Sequence, residues 1–294
     1  GQLRDGVYAK DMILALIGQI GAQGGIGYAT EFAGSAIRSM PIEGRLTICN
    51  MSIEFSCKYG FVPPDDTTIE FLAGREFSPK GTQWDKAETY WRTLRTDEGA
   101  GFDLAVTVDC NRLQPQVTWG ISPQQVTSID GRVPEPAEAA DSEARSLAEK
   151  ALAYMKLEPK TALQGLSIDV AYIGSCTNAR LSDLRAAAAV LKGRKVKPGV
   201  QAVCVPGSTP VKRAAEAEGL DRVFREAGFE WHESACGFCG HIGDTRFADL
   251  RVISTTNRNF EGRQGPKTRT HLASPATVAA SAIAGCISDA RRLS

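Results

Sequence analysis

Apolar residues with helical spacing stand near the start of the chain. Together they predict a helix over residues 7–17: Val7, Ile13, Leu14, Leu16 and Ile17. Residues 45–54 and 104–108 are rich in β-forming side chains and predict strands. Between these two stretches, paired prolines and paired aspartates at 60–66 predict a turn. The pattern indicates helices followed by strands up to about residue 120.

The character of the chain changes after residue 120. Pro123, Pro134 and Pro136 interrupt regular structure, and an acidic, alanine-rich run then predicts a helix over residues 141–157. We interpret residues 121–161 as a connector. The predicted domains are therefore residues 1–120 and 162–294.

Strands and helices alternate in the second domain. Short apolar runs at 168–173, 201–205 and 250–254 predict strands, and residues 181–191 and 275–287 predict helices. This alternation is typical of an α/β fold with a parallel sheet. Ligands of such folds bind at the carboxyl ends of the strands. Cys176, Ser208 and Asn257 each follow a predicted strand, and we expect them near one another.

Composition excludes several classes of protein. The 294 residues are 43% hydrophobic and 23% charged, and 34 basic side chains balance 34 acidic ones. This balance predicts no nucleic-acid partner and no anionic membrane surface. The longest mostly apolar run, 276–287, is too short to span a bilayer. Eight cysteines are too sparse for a disulfide scaffold, so a reducing, cytoplasmic location is expected.

Three of the cysteines lie at positions where they could bind a metal or form a redox pair. Cys236 and Cys239 form a Cys-x-x-Cys motif, and Cys176 lies sixty positions upstream in another predicted turn. Their residue types leave three alternatives open. These are an iron–sulfur cluster, a structural zinc ion with His232 or His241 as its fourth ligand, and a redox pair beside an unrelated thiol. The other five cysteines have no partner spacing and are expected to be small buried residues.

Longer motifs extend the comparison to a known family. Gly-Ser-Cys-Thr-Asn at 174–178, Cys-Gly-Phe-Cys at 236–239 and Asn-Arg-Asn-Phe-Glu-Gly-Arg at 257–263 resemble the aconitase superfamily. The runs at 49–54, 64–68 and 118–123 are similar to its 3-isopropylmalate dehydratase large-subunit branch. The resemblance covers essentially the whole chain. It implies two three-layer α/β/α domains with mostly parallel sheets.

The resemblance also implies roles for individual residues. Cys176, Cys236 and Cys239 match the family's ligands to a [4Fe-4S] cluster in which one iron has no protein ligand. Glu54 matches a catalytic carboxylate beside that open iron, where it would orient a hydroxyl or water and handle a proton. The implied substrate-binding residues are Asn50, Asn257, Arg258 and Arg263, and guanidinium groups suit a small dicarboxylate substrate. Arg269 and His271 are expected to be ordinary polar residues of the same loop.

The implied reaction interconverts 2- and 3-isopropylmalate through a dehydrated intermediate in leucine biosynthesis. Its partner would be the small subunit of the dehydratase. An N-terminal domain with further catalytic groups has no counterpart here, so we expect the isolated chain to be inactive. The residues after Cys239, at 240–244, depart from the family pattern and leave another hydro-lyase, acting on a methylated malate, as an alternative. A non-catalytic remnant stabilised by zinc is the alternative from another class.

Overall fold

A computed structural model describes residues 1–240 and 245–293 of the chain. The first part of the chain consists mainly of helices with a few short strands. Its helices are α1 (Ala9–Ile20), α2 (Ser35–Arg38), α3 (Ile42–Asn50), α4 (Asp66–Leu72) and α5 (Thr82–Trp91), and a 3-10 helix, Met51–Phe55, follows α3 directly. Strands β1 (Ala29–Glu31) and β2 (Tyr59–Phe61) pair in parallel, whereas β3 (Gln116–Thr118) and β4 (Val126–Ser128) pair antiparallel.

The second part of the chain forms a parallel sheet of five strands. The strands are β5 (Val170–Ile173), β6 (Gln201–Cys204), β7 (Glu230–Trp231), β8 (Arg251–Ser254) and β9 (Arg269–Leu272), in the spatial order β7-β6-β5-β8-β9. The helices are α6 (Ser142–Met155), α7 (Leu181–Leu191), α8 (Thr209–Ala217), α9 (Leu220–Ala227) and α10 (Pro275–Ala284). Short 3-10 turns occupy Pro136–Glu138, Gly237–Cys239 and Ala290–Arg292. The expected mixed α/β class is confirmed.

The side chains of β5 divide between two faces because successive residues of a strand point in opposite directions. Ala171 and Ile173 join the core formed with α6, α7, α9 and α10. Val170 and Tyr172 lie on the other face, where Phe247 packs and Phe238 contributes a partly buried ring. In the described residues, helices therefore cover one face of β5 and an aromatic segment covers the other.

Two large apolar cores underlie the two parts of the chain. The first contains residues between Val7 and Leu113 together with Leu272 from β9. The second contains residues between Val117 and Ile287, including three side chains of α6. The helix predicted over 141–157 therefore packs into the second core. The division at 1–120, 121–161 and 162–294 stays a prediction.

Most predicted elements of the second part are confirmed. The helix at Leu181–Leu191 has the predicted bounds, and strands β5, β6 and β8 lie within the predicted runs. The helix predicted over 275–287 ends at Ala284. Arg269 and His271 were expected in a loop, which was wrong, because they belong to strand β9.

Both strands predicted in the first part are wrong. Residues 45–54 lie in α3 and the 3-10 helix after it. Ile48, Met51 and Phe55 are fully buried at spacings of three and four, the period of a helix rather than a strand. Residues 104–108 form no strand either, and Leu104 and Val106 remain exposed.

The helices of the described residues are short compared with the thickness of a bilayer or carry polar side chains. None of them is both long enough and apolar enough to cross a membrane.

Candidate functional site

The carboxyl edge of the five-stranded sheet brings together the loops that were singled out from the sequence. Cys176 lies in the turn after β5, Cys236 and Cys239 follow β7, and Asn257 follows β8. All these strands are parallel, so the loops after them start from the same edge. Of the three strand-end residues expected near one another, Cys176 and Ser208 line one pocket, and Asn257 follows the strand paired in parallel with that of Cys176.

The turn that carries Cys176 is held by bonds to the neighbouring strand loop. The amide of Gly174 donates to Thr255 Oγ1 at 2.8 Å, and Thr255 Oγ1 donates back to the Gly174 carbonyl at 2.7 Å. A Cβ atom on Gly174 would lie only 2.3 Å from the Tyr172 hydroxyl oxygen. The position consequently needs glycine, and the Cys176 side chain after it is exposed.

The turn that carries Cys236 and Cys239 rests on the same tyrosine. The Tyr172 hydroxyl donates to the Cys236 carbonyl at 3.3 Å, and the Phe238 ring meets Tyr172 edge-on with centroids 6.1 Å apart. Gly237 has a φ of +51°, a left-handed conformation that favours glycine. Cys236 is exposed and Cys239 is buried. Tyr172 thus supports both cysteine turns.

Helix α3 of the first part is bonded to the Cys176 turn. The Thr47 hydroxyl donates to the Thr177 carbonyl at 2.8 Å, and Arg180 Nη1 donates to the Thr47 hydroxyl at 3.0 Å. The Ser182 amide at the start of α7 donates to Glu43 Oε2 at 2.7 Å. These bonds fix the helix that precedes Glu54 against the second part of the chain.

Glu54 is held by two side chains from the loop after β8. Asn257 Nδ2 donates to Glu54 Oε1 at 2.6 Å, and Arg258 Nε donates to Glu54 Oε2 at 2.8 Å. The Glu54 side chain is only 5% exposed, whereas that of Arg258 is 43% exposed. Each carboxylate oxygen has a defined donor, so the orientation of Glu54 is fixed while Arg258 also reaches solvent. We refer to Glu54, Asn257 and Arg258 as the clamp.

The clamp is adjacent to a cysteine thiol. Cys239 Sγ lies 3.9 Å from Asn257 Oδ1, so Asn257 connects Glu54 to Cys239. Arg263 Nη2 is also 3.9 Å from the same sulfur. Burial raises the pKa of the Cys239 thiol, and the nearby charge of Arg263 opposes that rise. Five residues expected in the site from the sequence are therefore in one contiguous cluster: Glu54, Cys239, Asn257, Arg258 and Arg263.

Arg263 is half-buried, and its guanidinium lacks a complete set of hydrogen-bond partners. Its Nε atom has no hydrogen-bond partner in the described structure. A Cβ atom on Gly240 would lie 3.2 Å from the guanidinium carbon, so glycine leaves room for Arg263 beside the cysteine turn. A buried donor without an acceptor is unfavourable and is often found where a ligand binds.

Asn50 lies apart from this cluster. It is the last residue of α3 and is exposed, four positions before Glu54. The described hydrogen bonds connect it to no other residue expected in the site. Its expected role in substrate binding stays a prediction.

The sequence of this chain matches a known protein family. The model of the aconitase family (aconitate hydratase) matches residues 1–285. The chain belongs to the aconitase family. Its cysteine turns and its clamp are therefore features of an aconitase-family chain.

Curated relatives of this aconitase-family chain are large subunits of 3-isopropylmalate dehydratase. Large subunit 1 from Bradyrhizobium diazoefficiens is 56% identical over 294 residues, which are all of this chain and 62% of that protein. The large subunit from Cupriavidus necator is 60% identical over 263 residues, 89% of this chain and 98% of that protein. The large subunit from Roseiflexus castenholzii is 53% identical over 293 residues, 99% of this chain and 62% of that protein. The chain thus spans about three-fifths of the length of two of these relatives.

The arrangement of the three thiols bears on the kind of metal centre that they could form. In residues 1–240 and 245–293, no three His, Cys, Asp or Glu side chains form a group that could hold a metal ion. His232, one candidate zinc ligand, instead bonds Glu230 at 2.9 Å, and His241 lies outside the described residues. Cluster ligands bind different iron atoms and need not surround one point. Three thiols on one sheet edge, with the unpartnered Arg263 Nε beside Cys239, fit such a cluster by donor type.

Several residues that support this aconitase-family site were not predicted from the sequence. Asn259 donates to the Gly120 carbonyl at 2.7 Å, and Gln264 donates to the Phe238 carbonyl at 3.0 Å, which ties the loop to both parts of the chain. Lys10 was also missed, although its spacing from Val7, Ile13 and Ile17 places it on the apolar face of α1. A lysine at this spacing on an apolar helix face could have been predicted to be a buried charge.

Proposed function

We propose that this chain is the cluster-bearing portion of the large subunit of 3-isopropylmalate dehydratase, a hydro-lyase of leucine biosynthesis. The enzyme would act in the cytoplasm as a heterodimer with its small subunit. The observation that carries the proposal is the clamp, in which a buried carboxylate and two polar side chains adjoin Cys239 at the sheet edge. The names of three relatives at 53–60% identity support this substrate over a methylated malate.

Cys176, Cys236 and Cys239 would hold the [4Fe-4S] cluster. When bound, a cluster with one iron free of protein ligands supplies Lewis acidity toward an alcohol substrate. The exposure of Cys176 and Cys236 leaves their sulfurs accessible for ligation. The positive charges of Arg263 and Lys10 oppose the rise in the Cys239 pKa and favour the thiolate that ligation needs.

The remaining residues of the site would bind substrate and move a proton. Arg258 and Arg263 provide guanidinium groups that suit the two carboxylates of the substrate. Glu54 Oε1 and Oε2 each accept one hydrogen bond, and a carboxylate has further lone pairs for the proton of a substrate hydroxyl or a water. Asn257 would keep Glu54 and Cys239 in a fixed relation, and Asn50 would contact substrate from the end of α3.

Anaerobic reconstitution of the chain with ferrous iron and sulfide tests the cluster. We expect a broad absorbance band near roughly 400 nm, as for thiolate-bound clusters. Separate Cys176→Ser, Cys236→Ser and Cys239→Ser variants should lose most of this band, while Cys286→Ser, which changes a cysteine remote from the clamp, should retain it. Stoichiometric zinc without the band would favour the zinc-stabilised remnant instead.

Turnover by the reconstituted chain, assembled with a dehydratase small subunit and with the part of a relative's large subunit that this chain does not span, tests the substrate. The assay compares 3-isopropylmalate with a methylated malate and includes the isolated chain, which is expected to be inactive. Preference for 3-isopropylmalate supports the proposal. Preference for the methylated malate would assign the chain to another hydro-lyase of the family.

A further inference from the structure

A lysine is buried beside the site although neither the sequence motifs nor the clamp includes it. Lys10 is the second residue of α1 and has no exposed surface. Its Nζ donates to the Thr255 carbonyl at 3.1 Å and to the Thr256 carbonyl at 2.6 Å. These two carbonyls lie between the end of β8 and Asn257, so the ammonium binds the backbone that leads into the clamp.

The burial of this lysine is unfavourable on its own. Loss of water around the ammonium lowers the pKa of Lys10 to about 8, while the negative charges of a Cys239 thiolate and of Glu54 oppose that shift. Replacement of buried charges by apolar groups of similar volume is often neutral or stabilising. A general contribution to stability therefore does not explain a cation here, and its two backbone contacts indicate a more specific role.

The contacts of Lys10 affect the position of the backbone that carries Asn257 and Arg258. The Thr255 amide donates to the Tyr172 carbonyl at 3.1 Å, and the Thr256 amide donates to Ser254 Oγ at 3.1 Å. Lys10 supplies donors for the carbonyls of the same two residues, which are themselves fully buried. Since buried carbonyls need donors, loss of the ammonium would favour a shift of this segment toward other partners.

We propose that Lys10 is a positioning residue of the site: its ammonium fixes the Thr255–Thr256 backbone so that Asn257 and Arg258 hold the Glu54 carboxylate. Helix α1 thereby contributes to the site from a position 245 and 246 residues away in sequence. The consequence for catalysis rests on the proposed function, whereas the geometric claim does not.

Hydrogen exchange of backbone amides in the full chain tests the geometric claim. In Lys10→Met, amides in residues 255–263 should exchange at least about tenfold faster, while the β6 strand keeps its protection. The urea midpoint should stay within about 0.5 M of that of the parent chain. Lys86→Met, at an exposed position, is the matched control and should change neither quantity.

A conservative variant separates the donor role from mere filling of space. Lys10→Gln retains amide N–H donors and should restore protection of residues 255–263 to within about threefold of the parent chain. A folded Lys10→Met chain with unchanged exchange in this segment would overturn the proposal. So would global unfolding of Lys10→Met, or exchange in Lys10→Gln as fast as in Lys10→Met.

Kinetics of the assembled enzyme provide a second readout. Lys10→Met should lower kcat at least about tenfold with a smaller change in KM, because the clamp is displaced from the reacting atoms, and Lys10→Gln should recover part of kcat. A change in KM with kcat unchanged would contradict the proposal. If the parent complex does not turn over 3-isopropylmalate, the proposed function fails, while the exchange experiment still decides the role of Lys10.

Discussion

Asn257 Nδ2 lies 2.6 Å from Glu54 Oε1 although 203 positions separate the two residues in sequence. Glu54 belongs to a 3-10 helix packed in the first core, and Asn257 follows a strand of the second. Arg258 adds a second bond to the same carboxylate at 2.8 Å. The candidate site thus depends on the contact between the two parts of the chain.

Replacement of Glu54 tests its proposed catalytic role. Glu54→Gln should lower kcat of the assembled enzyme by about 10²–10⁴-fold, because the amide cannot accept a proton from substrate or water. The cluster absorbance should persist, since Glu54 is not among the proposed ligands. Glu70→Gln, at an exposed position of α4, is the control, and an unchanged kcat in Glu54→Gln would contradict the role.

The bonds of Thr47 predict a stability effect at the boundary between the two cores. Thr47→Val retains the shape of the side chain but removes the hydroxyl that bonds the Thr177 carbonyl and Arg180. We expect a loss of about 1–3 kcal/mol in the free energy of unfolding, because two hydrogen bonds worth roughly 0.5–1.5 kcal/mol each are lost, although Arg180 still donates to the Thr177 carbonyl. Urea denaturation measures this loss. Thr89→Val on the exposed face of α5 should cost less, and equal costs would argue against a special role for Thr47.

Gly237 and Gly193 form a matched pair for the packing of the cysteine turn. Both have positive φ, +51° and +74°, so alanine strains the backbone at either position. Only at Gly237 would the added Cβ meet other atoms, 2.9 Å from the Tyr172 hydroxyl oxygen. Gly237→Ala should therefore destabilise the chain by about 1–3 kcal/mol more than Gly193→Ala in urea denaturation. Equal effects would show that the turn has room to move.

His271 predicts sensitivity of folding to acid. Burial, assisted by the charge of Arg251, lowers the pKa of His271 from its ordinary 6.5 to about 3. As pH falls from about 6.5 toward 3, the unfolded chain binds a proton that the folded chain does not, so stability decreases. At about 1.4 kcal/mol per pH unit, the contribution lost at pH 4.5 is on the order of 2–3 kcal/mol.

The variant His271→Gln removes this titration while it retains a donor and an acceptor for Thr118 and Arg251. The difference in unfolding free energy between pH 7 and pH 4.5 should shrink by about 2–3 kcal/mol. His232→Gln, whose imidazole is 39% exposed, is the control. The same acid dependence in His271→Gln and the parent chain would refute the assignment.

Local patterns predicted the second part of the chain better than the first. Leu181–Leu191 and strand β5 are continuous apolar or alanine-rich segments bounded by turns, and the structure has them where they were expected. Residues 45–54 contain Ile and Thr, which favour strands as individual residues, but they form α3 and a 3-10 helix. Burial of Ile48, Met51 and Phe55 at helical spacing outweighs those local preferences.

The sequence by itself determined the chemistry available to the site and the place of its loops, because motifs and strand ends are local properties. It placed Cys176 and Asn257 beyond two strands whose parallel pairing brings them to one edge. Only the tertiary structure decided that Asn257 contacts Glu54 and that Lys10 bonds the backbone just before Asn257. These contacts join segments more than 200 positions apart, and their energies depend on burial, which a local pattern does not specify.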